Sequence, residues 1–318
     1  MIERTFRTLI ASAVVASLIP LGTANAEEAG SGHYFPGAAA SFIDALPGKP
    51  GPAVVNIFMA YDGDANISFP IAGLVAAGLD AEIYADIIGV VYETDHGILG
   101  GKYAAGFTLP LLTMEVTGTL LTPLGNLQKV DDETGLGDMM FYPLMMGWKA
   151  AGGDLKYDFR LGVYAPTGDY STGKLANLGK HYWTFEPAFA LSYISSKIGT
   201  EASLFTGFDI NTTNEATDYD SGSSWHLDAT LAQHLPLLGG IVGLGADTFL
   251  YYQMTEDNGP GAKLGGFKGH TVGIGPVLSY IRELSKVTIV GEAKWLPELD
   301  VAKRLEGDLF WVKLGILF

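Results

Sequence analysis

The sequence predicts an all-β fold, a transmembrane antiparallel β-barrel of about twelve strands with a short N-terminal coil segment. Three observations carry that prediction. The chain ends on Phe318, and every second residue counted back from it is apolar: Ile316, Leu314, Val312 and Phe310. Period-two alternation is a strand with one greasy face, and a final strand closing on an aromatic residue resembles the terminal signal of bacterial outer-membrane barrels. The first residues read as a secretory leader. From residue 52 onward, strand-like runs alternate with breaks of two kinds, one short and one long and acidic.

In chain order, Arg4 and Arg7 give a basic start, an uncharged apolar run follows, and Ala24-Asn25-Ala26 is an A-x-A cleavage site. Residues 1–26 are therefore expected to be a signal peptide. Residues 27–51 are rich in Gly, Ala and Pro and read as coil or short turns. Two placements are open for them: a plug inside the barrel, with His33, Tyr34 and Phe35 as its aromatic tip, or packing on the periplasmic rim. Residues 52–318 are assigned to the barrel. Strands are expected over 53–61, 82–92, 98–121, 138–148, 154–165, 181–195, 198–211, 223–235, 240–253, 266–282, 285–296 and 308–318. The long breaks, expected as external loops, are 62–81, 122–137, 166–180, 212–222, 254–265 and 297–307. Short periplasmic turns with long external loops are the rule for such barrels. Splitting 98–121 at Pro110 would give thirteen strands and put the termini on opposite sides, so twelve is preferred.

The alternation also assigns faces. Lys156, Asp158, Arg160 and Tyr164 oppose Leu155, Tyr157, Phe159, Leu161 and Val163. Tyr182, Thr184 and Glu186 oppose Trp183, Phe185 and Phe189. His226, Asp228, Thr230 and His234 oppose Leu227, Ala229, Leu231 and Leu235, and Glu292 and Lys294 oppose Val287, Ile289, Ala293 and Trp295. With apolar faces on lipid, the polar sets line the lumen, because Lys or Arg at the lipid midplane costs about 2–4 kcal/mol. Tyr84, Asp247, Tyr251 and Lys313 complete the expected lumen set. These residues could neutralise one another across a narrow interior or could select a solute. Phe310, Val312, Leu314, Ile316 and Phe318 form the expected assembly signal.

Composition narrows the function classes. The formal net charge is −16, which disfavours nucleic acid as a partner. There is no cysteine, so thiol catalysis and thiolate metal sites are excluded. No cofactor fingerprint is present. Ser224, His226 and Asp228 share a face at spacing two, which is the best candidate for a surface lipid hydrolase, yet they match no nucleophile motif. Asp62-Gly-Asp64-Ala-Asn66 begins like a calcium loop but has Ile67 where glycine is needed and Gly73 where glutamate is needed. No catalytic and no metal residue is assigned from the sequence.

Several blocks are recognisable together: TGLGDMMFYPLMMGW (134–148), DFRLGVYAPTGDY (158–170), NLGKHYWTFEPAFALSY (177–193), SGHYFPGAAASF (31–42) and the closing VKLGILF. They resemble the outer-membrane family of phenol degradation meta-pathway proteins, whose members are commonly labelled transporters. The resemblance implies a barrel in the outer membrane of a Gram-negative bacterium that passes small, apolar or aromatic compounds passively. It implies as partners outer-membrane lipid, the barrel-assembly machinery and a small-molecule solute. It supplies no catalytic residues. The alternatives are a non-conducting structural or binding barrel and, less favoured, a surface lipid hydrolase.

Overall fold

In the computed structural model, residues 28–266 and 268–318 are described. The expected signal peptide lies outside the described residues. Thirteen strand segments follow one another: β1 (Gly51–Ile71), β2 (Leu74–Ile98), β3 (Gly101–Thr122), β4 (Gly125–Leu136), β5 (Met139–Ala150), β6 (Leu155–Ala165), β7 (Thr184–Ile194), β8 (Thr200–Asn211), β9 (Ser224–Leu237), β10 (Gly240–Gln253), β11 (His270–Glu283), β12 (Thr288–Ala302) and β13 (Glu306–Leu317). Apart from β4 and β5, which both pair with β3, each pairs antiparallel with its sequence neighbours, and β13 pairs with β1 from Ala53↔Leu317 to Asp64↔Glu306. That last ladder closes the sheet into a barrel, the one strand architecture that leaves no backbone group unpaired in hydrocarbon. Among the described residues, no helix is long and apolar enough to cross a membrane.

Thirteen segments make twelve staves. β3 pairs with β2 along nearly its whole length, but its other edge is shared: Lys102–Thr108 meet β5 and Leu111–Thr122 meet β4. β4 and β5 are one stave, interrupted at Gly137 and Asp138. The twelve-stave expectation therefore holds, and Pro110 sits opposite the interruption, with the Gly137 amide donating to its carbonyl at 2.9 Å.

Three expected loops are largely strand instead. Residues 62–81 carry β1 and β2 onward to a tight turn at Ala72 and Gly73, 122–137 hold β4, and 297–307 belong to β12 and β13 except for the turn at 303–305. β2 has 25 residues, about 85 Å at ~3.4 Å per residue, whereas the lipid-facing band of such barrels is only about 25 Å tall. The excess projects beyond the membrane. There the outer face of the strands turns polar while the inner face stays apolar. Ala65, Phe69, Ala76, Leu79, Ala81, Val116 and Leu120 point inward and pack with Leu175 and Ala176 of the 166–183 connection, while Asp80 and Glu82 are exposed. An acidic outer face made these stretches look like loops; their inner faces are a small water-soluble core. The Asp62–Asn66 run lies within β1, where Asp62 and Asp64 pair with Glu82 and Asp80 across the strand, so it does not wrap an ion.

Around the rest of the barrel, apolar faces point out as expected. Phe141, Phe159, Phe185, Phe189, Phe208, Leu231, Leu244, Ile274 and Leu278 are exposed. In β13, Phe310, Leu314, Ile316 and the terminal Phe318 are exposed and Val312 is half-buried, whereas Trp311 and Lys313 are buried inside. The Phe318 amide donates to the Pro52 carbonyl at 3.0 Å, so the last residue continues the closing ladder. Replacing Phe318 with Ala removes exposed apolar area but no ladder bond. The expected outcome is a barrel that is stable once formed yet accumulates several-fold less in the outer membrane. Comparing heat-modifiable and unfolded bands on gels of membrane fractions measures this; an unchanged yield would separate Phe318 from assembly.

Candidate functional site in the barrel interior

The interior has two walls of opposite character. On β1, β2 and β3 the inward residues are apolar: Ile57 and Met59, then Ile83, Ala85 and Ile87, then Leu112 and Met114. On β5 to β13 polar and charged residues predominate, interrupted by Met140, Phe205, Phe249, Leu296, Leu309 and Trp311, and many are almost completely buried, among them Asp158, Glu186, His226, Asp228, Asp247, Glu292, Lys294 and Lys313.

Burial of so much charge follows from residues 28–50, which lie against the polar wall. His33 bridges two inward groups, with Nδ1 at 2.7 Å from Thr184 Oγ1 and Nε2 at 2.9 Å from Asp138 Oδ2. Its ring stacks on Tyr164 and meets Tyr182 edge-on. The Tyr34 ring stacks on His226 with centroids 3.6 Å apart, and its hydroxyl donates to Asp228 at 2.5 Å. Lys294 donates to the carbonyls of Gly37 and Ala39 at 3.2 and 2.7 Å and pairs with Asp247 at 3.0 Å. Lys313 pairs with Asp44 at 2.7 Å, and Arg160 holds Asp158 at 2.6 Å while donating to the Asp44 carbonyl. Further along, Asp158 accepts from the Leu46 amide, Glu201 from the Phe42 amide and Glu93 from the Gly48 amide. Gly37 is required here. Its φ is +83°, and a Cβ would stand 2.3 Å from a Leu296 methyl.

Most of the sequence-chosen lumen residues thus come together, but as a cradle for the N-terminal segment. Tyr164, Tyr182, His226 and Asp228 hold its aromatic tip, and Arg160, Lys294 and Lys313 hold its carbonyls and Asp44. Glu292 lies 3.5 Å from Lys294 and 3.6 Å from Lys313. Tyr251 is buried beside Tyr34 and Ala40, under the Arg304 guanidinium. Lys156 is half-buried on the same face as Asp158.

Tyr84 is a correction. It is 42% exposed, stacks on Phe58 and donates to Glu82 on the outer surface. Its strand alternates two mixed sets, and the more polar set, Tyr84 with Asp86, faces out. Tyr84 shares a hydrogen-bonded row with Ala60, Phe310 and Trp295, the position of an interfacial aromatic girdle.

The sequence reading missed Asp138. It sits at the β4/β5 interruption and gathers His33 Nε2 at 2.9 Å with the amides of Gly168 at 2.8 Å and Lys180 at 2.6 Å. It lies in the recognisable block 134–148, but the resemblance assigned it no role. Asp44, Glu201 and Asp209 were also missed. Glu28, near the external end, accepts from Asn214 at 3.0 Å, and burial raises its carboxyl above the ordinary range against that bond. Ser224 donates to Asp209 at 3.2 Å and accepts from Tyr251 at 2.9 Å, and Tyr34 covers His226, so Ser224, His226 and Asp228 form an internal polar lining and not a surface relay.

Among the described residues, two cavities lie against the apolar wall. The outer one, about 120 Å³, lies among Tyr61, Ile71, Leu79, Ala81, Val116 and Leu175. The inner one, about 240 Å³, lies among Ile57, Ile87, Pro110, Leu112, Met140 and Tyr142. They share Phe35, Ile83 and Met114, so Phe35 of the N-terminal segment stands at their junction.

Comparison with solved structures places this geometry. An outer membrane channel from Pseudomonas putida F1 matches with a TM-score of 0.57 at 13% identity, over 89% of this chain and 98% of that one. The β domain of the Bordetella autotransporter BrkA gives 0.46 at 13% identity over 85% of this chain and 100% of that one. The transport unit of the Escherichia coli autotransporter AIDA-I gives 0.44 at 9% identity over 85% and 90%. Only the first supports a shared fold, that of Gram-negative outer-membrane barrels. No curated protein sequence matches this chain. The model of the family described as "Putative MetA-pathway of phenol degradation" matches residues 62–314. That match spans the barrel from the middle of β1 to the middle of β13, and the protein belongs to this family.

Proposed function

We propose that the protein is an outer-membrane channel for passive uptake of small apolar or aromatic compounds, and that residues 28–50 are its plug. The observation that carries this reading is the division of the interior. The polar wall is occupied by the segment, and space is left along the apolar wall in two adjoining cavities that share Phe35. Apolar lining favours solutes that gain by leaving water, at about 25 cal/mol per Å² of buried apolar surface. A few polar groups at its margin, such as Tyr142 and Thr108, offer orientation to an aromatic hydroxyl. The family description and the fold shared with a solved channel support the same direction.

The filled polar side favours one alternative, a barrel that holds a ligand without passing it. Conductance separates the two. In planar bilayers or swelling liposomes, intact protein is expected to show small or rare openings, and protein lacking 28–50 a several-fold larger conductance. If the trimmed barrel is folded and passes nothing, the channel reading fails.

Phe35→Ala should open the two cavities to each other. Its expected effect is faster uptake of a phenol-sized solute into liposomes, by a few-fold, with less effect on ion conductance. Lys294→Met leaves Asp247 buried without its ammonium and frees the Gly37 and Ala39 carbonyls. Loss of one partner of a buried pair costs about 3–5 kcal/mol. The segment should then become protease-sensitive in an otherwise resistant barrel.

A further inference from the structure

The charges of the cradle do not all find a partner in the segment. Glu186 on β7, Asp209 on β8 and His226 on β9 converge at one spot on three adjacent staves, and all three are buried at 1% exposure or less. Each offers a ligand atom within 4.8 Å of the others. His226 Nε2 is 3.2 Å from Glu186 Oε1 and 3.9 Å from Asp209 Oδ1. Among the described residues, no well-aligned hydrogen bond reaches either nitrogen of His226 or either carboxylate oxygen of Glu186, whose neighbours are each other and the Tyr164 hydroxyl. Buried polar groups of this kind are almost always satisfied, and each one left over calls for an explanation.

Charge sharpens the point. Glu186, Asp209 and Asp228 surround a single imidazole. Arg160 is held by Asp158 and Lys294 by Asp247, so these two inward cations are engaged elsewhere. Among the described ion pairs Glu186 meets only His226, and a buried carboxylate without a fixed cation beside it is strongly disfavoured.

The space is built as well. Gly207 pairs with His226 across β8 and β9 and points its missing side chain into the cluster. A Cβ there would lie 2.7 Å from His226 Nε2 and 3.1 Å from Glu186 Oε1. A Cβ on Gly162 would lie 2.9 Å from Glu186 Oε2. Two glycines on two strands thus keep the same small volume open.

We infer that Glu186, Asp209 and His226 form a binding site for one divalent transition-metal cation inside the barrel wall. One imidazole nitrogen and two carboxylate oxygens suit zinc, manganese or iron(II) better than calcium or magnesium, which favour oxygen alone. Ligands about 2.1 Å from one ion lie at most ~4.2 Å apart, so the observed separations need only small closure. The role is structural: Tyr34 stacks on His226, so an ion fixing that ring fixes the platform under the segment's tip. The site does not depend on solute passage. It stands or falls separately from the channel reading.

The test uses the full mature barrel, stripped with chelator and refolded with one equivalent of cobalt(II), whose visible bands report nitrogen and oxygen ligation. Retention of about one cobalt per heat-modifiable barrel after desalting is expected. Glu186→Gln and Gly207→Ala should each weaken retention at least tenfold. If either variant fails to fold, anomalous diffraction at the cobalt edge from the unaltered protein decides, with an ion expected between Glu186 and His226. No retained cobalt in folded barrels, retention indifferent to Glu186→Gln, or an ion located elsewhere would overturn the inference.

Discussion

An ammonium group cannot stand unpaired inside a protein wall, and the interior of this barrel is arranged around that constraint. Lys294 is 2% exposed and reaches Asp247 on its own wall and two carbonyls on the N-terminal segment. Lys313 and Arg160 repeat the pattern through Asp44 and its carbonyl. Wall and segment are therefore two halves of one electrostatic unit. Without the segment, these side chains would face water in an open lumen. With it, they are buried and paired, and the unfilled space is pushed to the opposite, apolar wall. The division of the interior, and with it the proposed solute path, follows from where the cations are.

The closing ladder between β1 and β13 makes this possible at membrane depth, because a closed ring needs no water for its backbone. The exception is informative. β4 has a strand partner only on the β3 side. Its other side meets residues 173–175 through Lys129 to the Gly173 carbonyl, Asp131 from the Leu175 amide and the Glu133–Lys174 pair. Such side-chain stitching works where water can share the burden, and β4 belongs to the projection beyond the bilayer.

Legibility in the sequence followed physical environment. Where a strand has lipid on one face and charge on the other, as in β6, β7, β9 and β13, alternation alone assigned both faces. Where lipid gives way to water, as in the outer halves of β1 to β4, the same alternation changed meaning and the acidic outer face read as loop. Tyr84 failed for a related reason, since its strand has an apolar inner face and a mixed outer one. The cluster of Glu186, Asp209 and His226 was half visible. Glu186 and His226 were chosen as inward, but their meeting with Asp209 depends on the stagger between β7, β8 and β9, which residue types do not encode. The engagement of residues 28–50 was likewise left open, because beyond His33, Tyr34 and Asp44 most of its polar contacts use main-chain groups that every sequence has.

That last point bears on how such a chain can diverge. Lys294 and Lys313 read the carbonyls of Gly37, Ala38 and Ala39, and Glu93, Asp158 and Glu201 read amides further along. Recognition of this sort is blind to side-chain identity, provided each residue is small enough to fit. The segment is free to drift at most of its positions while the wall that grips it must hold its charges, so a family built this way would vary at the lumen's tenant and stay fixed in its lodging.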